Sequence, residues 1–245
     1  MAFIRIQKYL AGLGIASRRE IEKLIRKGAV TLNGEPLERL GVLINTESPP
    51  SIEINGKPVS TAKPDSEVYI FNKPAGVVTT MKDERGRKCI ADFLPQDTRL
   101  YPAGRLDMDS TGLLIITNHG ELTKRLTHPS YEIEKEYIVQ IIPSELTDDE
   151  EREFAEGIPL SEGITGPCKI KKVKSCTYSV ILKEGRKRQI KRMFRHFGKE
   201  VQELHRIRLG SLSIAGTPEG KMRKLTEKEL AAILEETGLK SGSRG

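Results

Sequence analysis

The chain has 245 residues, of which 37% are hydrophobic and 31% charged, with a formal net charge of +7 at pH 7. This composition is typical of a folded globular protein with one large or two smaller cores, and it excludes fibrous and disordered classes. No apolar run approaches the roughly 20 residues that cross a bilayer, and the N-terminus lacks signal-peptide features, so we expect a cytoplasmic protein without a membrane segment.

The first part of the chain predicts two short helices. Residues 5–13 carry apolar side chains at helical spacing. Ser17 and Glu20 form a capping-box pattern at the start of a second helix, because each side chain can bond the other's backbone amide. Gly28 is expected to end this helix in the left-handed conformation that glycine adopts readily.

A small sheet and a linker are predicted after these helices. Residues 29–32 predict a strand, and Asn33-Gly34 predicts a tight hairpin turn. A second Asn-Gly pair at residues 55–56 marks another turn. The composition then changes to Pro, Ser, Thr and Lys over residues 57–66, which we interpret as a linker. These signals predict a separate N-terminal module at residues 1–60.

The remainder of the chain mixes short strands with a few helices. Strands rich in Val, Ile and Tyr are predicted at residues 68–71, 112–117, 136–142, 177–182 and 207–214. Helices are predicted at residues 121–127, 148–155, 188–197 and 227–236. This order favours an α+β fold, in which a mixed, mainly antiparallel sheet is flanked by helices. We expect a catalytic domain at residues 67–238 and a disordered tail at residues 239–245.

The segment GRLDMDSTGLLI at residues 104–115 carries the most chemical information. A loop dense in Gly, Ser, Thr and charge leads directly into an apolar strand, which can hold a carboxylate at the edge of a sheet. The alternative is an ordinary turn in which Asp107 or Asp109 caps a backbone amide. The residues alone favour these two interpretations about equally, because short motifs often occur by chance.

This segment resembles the central motif of the ribosomal RNA pseudouridine synthases that carry an N-terminal S4 domain. The resemblance extends over nearly the whole chain and keeps the family's order of motifs. It includes an S4-like segment RIQKYLAGLGIASRREIEKLIRKGAVTLNG, an opening strand VYIFNKPAGVVTT, a tyrosine-bearing segment HPSYEIEKEYIVQI and a third motif LKEGRKRQIKRMFRHFGKEVQELHRIRLGSLSI. Within the family, the chain is most similar to synthases that act on large-subunit (23S) RNA; the small-subunit (16S) RNA is the alternative.

The resemblance implies roles for individual residues. Asp107 matches the essential aspartate of the family, and Tyr137 matches the tyrosine that packs against the target base. Lys191 matches the basic residue that pairs with the catalytic carboxylate, with Arg192 as the competing candidate. Arg105 matches a position beside the flipped nucleotide. Asp109, at the family's second acidic position, is not expected to be catalytic.

The implied reaction suits these residue types. Uridine becomes pseudouridine when the bond from ribose to N1 breaks, the base turns, and C5 is joined to the sugar. No redox step or group donor is needed, so we expect no cofactor; the histidines and cysteines lack ligand spacing, so we expect no metal. An ionised Asp107 either attacks the sugar or removes a ribose proton. The nucleotide must be flipped out of its stack, and Tyr137 can hold it there.

Basic residues predict two surfaces for RNA. The helix at residues 188–197 has an apolar stripe, which would let its cations face phosphates rigidly, and Arg206 and Arg208 extend this patch. We expect Arg105, Arg188 and Arg192 to bind the substrate. The wider RNA-contacting set is Arg5, Lys8, Arg18, Arg19, Lys23, Lys27, Arg186, Lys187 and Arg195. The expected partner is ribosomal RNA or a ribosome assembly intermediate, bound by a monomer.

Two other classes of protein fit part of the sequence. A non-catalytic ribosome-assembly factor would use the same basic surfaces, but it would not require Asp107, Tyr137 and Lys191 together. A hydrolase that used the pair Asp107 and Asp109 is less favoured, because their loop setting has no metal-ligand partners beside it.

Overall fold

The computed structural model describes residues 3–239, which fold into two compact units. The first unit comprises the described residues up to Ser66 together with Gln96–Arg99, and the second comprises Glu67–Pro95 and the described residues from Leu100 onward. The predicted tail lies outside the described residues except for Leu239. No helix in residues 3–239 is long and apolar enough to cross a membrane.

The first unit contains two helices, α1 (Ile6–Gly12) and α2 (Arg18–Arg26). Its strands are β1 (Phe3–Arg5), β2 (Val30–Leu32), β3 (Glu35–Pro36), β4 (Leu43–Asn45), β5 (Ile52–Ile54) and β6 (Lys57–Pro58). Four of them form an antiparallel sheet in the order β3-β2-β5-β6, and β1 pairs with β4. Strand β6 therefore occupies the start of the segment predicted as a linker.

Local sequence signals explain the second helix of this unit. The Ser17 hydroxyl accepts a hydrogen bond from the Glu20 backbone amide at 3.2 Å, and the Glu20 carboxylate accepts one from the Ser17 amide at 2.8 Å. The predicted capping box is thus confirmed. Buried Ile21 and Ile25 face the core of the unit, which leaves the basic side chains of α2 in solvent.

The second unit contains most of the chain. Its strands are β7 (Val68–Lys73), β8 (Tyr101–Ala103), β9 (Thr111–Thr117), β10 (Lys135–Ile142), β11 (Pro159–Leu160), β12 (Gly163–Ile164), β13 (Lys169–Lys174), β14 (Thr177–Leu182), β15 (Glu200–Leu209), β16 (Leu212–Ser213) and β17 (Met222–Lys224). Its α-helices are α3 (Gly120–Thr127), α4 (Asp148–Glu156), α5 (Gln189–His196) and α6 (Glu227–Glu236). Two short 3₁₀ helices lie at Ile90–Phe93 and Pro129–Tyr131.

One nine-stranded sheet organises this unit. Its main order is β13-β14-β10-β15-β9-β7-β17, with β16 paired to β15 and β8 paired to β9. The pairing of β9 with β15 is parallel, and the other pairings of this sheet are antiparallel. The α+β prediction with a mixed, mainly antiparallel sheet is therefore confirmed. The parallel pair joins the two antiparallel halves.

Each half of the sheet has its own helices and apolar core. Helices α3 and α6 pack on the β7–β9 half, where Leu122 and Ile233 are fully buried. Helices α4 and α5 pack on the β10–β14 half, where Phe154 and Phe194 have ring centroids 4.7 Å apart. The apolar stripe predicted for α5 is confirmed, because its members point into this second core.

One predicted strand needs correction, and β13 is the longest of the strands that were not predicted. The strand predicted at residues 207–214 begins much earlier, as β15, and ends at Leu209 because Gly210 has a φ of +55° and turns the chain into β16. Strand β13 was missed because its sequence, KIKKVK, is dominated by lysine. It is an edge strand, and charged side chains at a sheet edge oppose pairing with another chain.

Candidate active site

A cavity of about 540 Å³ lies in the second unit and is lined by six of the nine site residues predicted there. Its wall is built from the loop that precedes β9, from β10 and β15, and from the segment that leads into α5. Asp107, Tyr137 and Arg105 line it, as do Arg188 and the other two basic residues of the α5 approach, Arg186 and Lys187. Lys191, Arg192 and Arg195 are not part of this lining.

The side chain of Lys73 forms hydrogen bonds with the backbone of the loop that carries Asp107. This lysine ends β7 and is fully buried. Its Nζ donates to the backbone carbonyl oxygens of Ser110 at 2.7 Å, Pro74 at 3.0 Å and Met108 at 3.3 Å. Burial lowers the pKa of Lys73 to about 8, although the charges of Asp109 and Asp107 act in the opposite direction. The ammonium group therefore fixes the loop immediately beside the candidate carboxylate.

The segment after Lys73 supplies two more anchors for the same loop. The Gly76 amide donates to the Met108 carbonyl oxygen at 2.8 Å. The Thr79 hydroxyl donates to the Leu106 carbonyl oxygen at 2.7 Å and accepts from the Leu106 amide at 3.3 Å. These contacts explain why the motif VYIFNKPAGVVTT accompanies the GRLD motif. Lys73 had no predicted role, because lysine is almost never fully buried unless it is paired, and the fold alone brings its carbonyl partners in the loop to it.

We expect Lys73→Met to destabilise the protein by on the order of 3 kcal/mol, because it leaves buried carbonyl oxygens without a donor. The measurement is the free energy of unfolding in urea. Lys171→Met on the exposed edge strand β13 is the matched control and should change that free energy by less than about 0.5 kcal/mol. Equal stability of the two variants would show that Lys73 does not anchor the loop.

Lys191, the predicted partner of Asp107, pairs with the other candidate carboxylate, Asp109. Lys191 Nζ lies 2.6 Å from Asp109 Oδ2, and the structure shows no ion pair for Asp107 among residues 3–239. Burial alone would raise the pKa of Asp109, but the hydrogen bond and charge of Lys191 outweigh it and lower the pKa. The expected pairing of Lys191 with Asp107 is therefore replaced by one with Asp109. The turn closed by the Ser110 amide on the Asp107 carbonyl leaves Asp107 on the cavity wall and Asp109 outside it.

Arg186, predicted to bind RNA, and Arg192, predicted to bind the substrate, are both engaged within the fold. Arg186 donates from Nε to Glu184 at 3.1 Å and from its two amino groups to carbonyl oxygens of the β11–β12 hairpin, each at 2.7 Å. Arg192 forms an ion pair of 2.9 Å with Glu162 in the same hairpin. Both guanidinium groups thus hold a hairpin that is distant in sequence. The remaining cations of this region, Arg105, Lys187, Arg188 and Arg195, are exposed.

The extended basic patch predicted from the third motif is also smaller than expected. Arg208 is bonded to Glu136 at 2.8 Å and to Glu134 at 3.0 Å, so these carboxylates balance its charge. Arg206 is only 4% exposed and points into the cavity wall instead of the surface. Strand pairing brings these partners together, and no local pattern indicates it.

A second unpredicted cation, Lys135, lines the cavity beside Arg206. Its Nζ donates to the Ile133 carbonyl oxygen at 2.8 Å. Burial, reinforced by the positive charge of Arg206, lowers the pKa of Lys135 to about 8, and Glu184 acts in the opposite direction. The cavity therefore has two cations in its wall in addition to those at its mouth.

The six basic residues predicted on the first unit are all exposed. They are Arg5, Lys8, Arg18, Arg19, Lys23 and Lys27. Three of them follow directly from the capped helix α2, whose apolar side faces the core. This unit thus has a basic helical surface.

Comparisons with known proteins agree with this architecture. Residues 67–196 match the family model described as RNA pseudouridylate synthase, and residues 4–47 match the S4 domain. The ribosomal large subunit pseudouridine synthase B of Bacillus subtilis (strain 168) is 40% identical over 241 residues, which cover 94% of this chain and 95% of that protein. The dual-specificity RNA pseudouridine synthase RluF of Escherichia coli (strain K12) is 37% identical, covering 93% and 77%.

A solved structure described as a crystal structure of pseudouridylate synthase gives a TM-score of 0.69 at 30% identity, and the match covers 94% of this chain and 99% of that one. The fold and the cavity thus define an RNA-modifying enzyme with an attached S4 domain. The chain belongs to the RNA pseudouridylate synthase family, which confirms the resemblance drawn from its motifs. A purely RNA-binding assembly factor is accordingly not favoured.

Proposed function

We propose that this enzyme converts a specific uridine of large-subunit ribosomal RNA to pseudouridine, with Asp107 as the catalytic carboxylate. The observation that carries the proposal is the shared cavity: Asp107 and an aromatic side chain, Tyr137, both line it, in a family that performs this isomerisation. The name of the Bacillus subtilis relative supports the large-subunit substrate, since that protein matches this chain over nearly its full length.

Tyr137 is proposed to hold the flipped base. It is half-buried on β10, so its ring is fixed by the sheet while one side remains open to the cavity. Stacking of a base on an aromatic ring is worth roughly 1–3 kcal/mol, which offsets part of the few kcal/mol needed to unstack the nucleotide. The ionised Asp107 then acts on the ribose, either by attack on C1′ or by removal of a ribose proton.

Lys191 is best described as a positioning residue in this proposal. Its ion pair with Asp109 ties α5 to the loop that carries Asp107. Together with the bonds from Lys73, this pair holds the loop between two separate elements, β7 and α5. A fixed carboxylate needs little reorganisation when charge develops on the sugar.

The exposed cations are proposed to bind the RNA backbone. Arg105, Lys187, Arg188 and Arg195 would do so around the cavity, and the basic residues of the first unit would provide a further docking surface. The proposed partner is ribosomal RNA or a ribosome assembly intermediate, bound by a cytoplasmic monomer. Arg192 is not proposed as a substrate contact, because it pairs with Glu162 and lies outside the cavity lining.

This mode of binding predicts a strong dependence on salt. If about six phosphates are neutralised, affinity for a large-subunit RNA fragment should fall on the order of 10³-fold between about 50 and about 200 mM salt. The measurement is a filter-binding titration at several salt concentrations. The double variant Lys187→Gln, Arg188→Gln should reduce the slope by up to about 2, and a flat response of the wild type would contradict backbone binding.

The proposed function is tested by mapping pseudouridine in ribosomal RNA from cells that lack this protein. We expect one large-subunit site to disappear, and wild type but not Asp107→Ala to restore it. The exposed-residue variant Arg152→Met is the matched control and should restore the site fully. An unchanged modification pattern in the deletion strain would overturn the proposal.

A further inference from the structure

Arg206 occupies a central position between the two parts of the candidate site. On β15 its register partners are Tyr137 of β10 on one side and Gly112 of β9 on the other. Because directly opposite residues of an antiparallel pair share a face, the side chains of Arg206 and Tyr137 lie on the same face of the sheet. The guanidinium carbon is 6.0 Å from the centroid of the Tyr137 ring, and both side chains line the cavity.

The guanidinium group of Arg206 is fixed but not fully bonded. Its Nε donates to the Leu113 carbonyl oxygen at 2.6 Å, which sets the orientation of the plane. Arg206 is only 4% exposed, and its Nη2 is buried. This Nη2 nevertheless has no hydrogen-bond partner among the described residues. Leaving a buried charged donor unpaired is unfavourable, and Arg206 lines the cavity, so an acceptor that enters beside this guanidinium would be stabilised.

The neighbouring charge favours an acceptor as the ligand atom. Lys135 lines the same cavity, and the positive charge of Arg206 contributes, after burial, to the low pKa of Lys135. The charges of Lys135 and Arg206 repel each other in this partly buried wall, and together they create a positive electrostatic potential there. An oxygen with partial negative charge relieves that potential when it enters.

The depth of Arg206 selects the base over the backbone. The phosphates on either side of a flipped nucleotide remain with the RNA strand, where Arg105 and Arg188 are exposed. Arg206 lies on β15 and is buried, so its guanidinium would contact the base, which is the part of the nucleotide that enters the cavity deepest. Stacked groups lie about 3.5 Å apart, and the guanidinium carbon of Arg206 is 6.0 Å from the centroid of the Tyr137 ring. The guanidinium can therefore reach the edge of a base that is stacked on the ring.

The chemistry of uracil fits a fixed cationic donor. Uracil has carbonyl oxygens at C2 and C4, whereas cytosine has an amino donor at C4. When the base turns about the axis through N3 and C6, N1 exchanges with C5, and the two carbonyl groups exchange places. A donor fixed in the protein therefore meets a carbonyl oxygen before and after the turn.

The same donor suits the detached base. When the bond from C1′ to N1 breaks, its electron pair stays with the uracil ring and spreads from N1 to the carbonyl oxygens. In one route C1′ becomes bonded to the Asp107 carboxylate. In the other, C2′ loses a proton to that carboxylate, and a double bond forms between C1′ and C2′. A preoriented guanidinium that is already desolvated stabilises such developing charge effectively.

We propose that Arg206 recognises the flipped base, donating a hydrogen bond to a uracil carbonyl oxygen while the base lies on Tyr137 and holding it through its turn. Cytosine would bring its C4 amino donor to the same position before or after the turn, so this role disfavours cytosine. It goes beyond the residues assigned to the reaction above. It rests on the proposed function of the site. Arg206 thereby becomes a specificity-determining residue of the cavity.

The test combines a protein substitution with a substitution in the base. The substrate is an RNA stem–loop that carries the mapped target as uridine, 2-thiouridine or 4-thiouridine, since sulfur accepts hydrogen bonds less well than oxygen. Single-turnover rates are measured for wild type, Arg206→Met and Arg206→Lys. Any intrinsic effect of sulfur on the reaction is common to all enzymes and cancels when the thio effects are compared.

We expect Arg206→Met to slow isomerisation of uridine about 10- to 100-fold, as for a lost charged hydrogen bond. The thio effect should be about tenfold smaller in Arg206→Met than in wild type, and Arg206→Lys should lie between them. Arg152→Met, on the exposed face of α4, should match wild type on all three RNAs.

Two results would overturn the inference, and they are distinguishable. Equal thio effects in wild type and Arg206→Met would assign Arg206 a structural role alone, even if the rates fall. A wild type that forms no pseudouridine would overturn the proposed function and this inference with it. If Arg206→Met does not fold, as judged by its thermal unfolding, the same ratio is taken from Arg206→Lys.

Discussion

Asp107→Asn is expected to abolish pseudouridine formation while RNA affinity stays within about twofold of wild type. The amide has the size of the carboxylate, but it neither attacks C1′ nor accepts a ribose proton, so both routes open to Asp107 are closed. A loss of at least about 10⁴-fold in the single-turnover rate is the expected size for removal of the central catalytic group. The backbone bond from Ser110 to Asp107 does not involve the side chain and should persist.

Asp109→Asn is the matched control, because it changes the other carboxylate of the same turn. It removes the charge that pairs with Lys191 but leaves Asp107 intact. The Asp109 side chain is 57% exposed, so the pair contributes little stability, and we expect a loss of rate of about tenfold or less. Turnover retained in Asp107→Asn but lost in Asp109→Asn would reassign the catalytic carboxylate to Asp109.

Gly112→Ala is expected to destabilise the second unit by more than about 4 kcal/mol. Gly112 has a φ of +103°, and a Cβ there would lie 2.3 Å from the carbonyl oxygen and 2.7 Å from the amide nitrogen of Arg206. Both atoms belong to the backbone of β15, so a side-chain movement cannot relieve the contact. Alanine would therefore separate β9 from β15, the parallel pair that joins the two halves of the sheet.

Gly163→Ala separates backbone strain from the clash. Gly163 has nearly the same φ, +106°, but no atom lies within 4 Å of a Cβ built on it. This control should cost only about 1–2 kcal/mol in the free energy of unfolding, measured in urea for both variants. Equal destabilisation by the two substitutions would mean that the close approach of β9 and β15 is not essential.

Much of the local structure could be predicted because its causes are local. The predicted capping box of Ser17 and Glu20 joins residues three apart, so it can form wherever those residues open a helix. The strand at Thr177–Leu182 and the helix at Glu227–Glu236 have the predicted limits. The order of the motifs was also sufficient to identify the family.

The sequence by itself also determined that Asp107 and Tyr137 belong to one site, through the family resemblance. The shared cavity places them together, and their catalytic roles remain predictions. Which cation serves which carboxylate was decided only by the tertiary structure. Lys191 meets Asp109, and Arg192 meets Glu162, because α5 lies between the loop and the hairpin that carry them.

The positions of Lys73 and Arg206 were likewise decided by tertiary structure alone. Lys73 bonds to carbonyl groups more than thirty residues away, and Arg206 bonds to Leu113, 93 residues away in the chain. Such contacts depend on strand order and register, and these follow from the burial of the whole sheet. Helix caps and apolar stripes are set by neighbours a few residues apart and are visible in sequence. The positions of the buried cations of this site depend on contacts with distant strands, so they are not visible in the sequence.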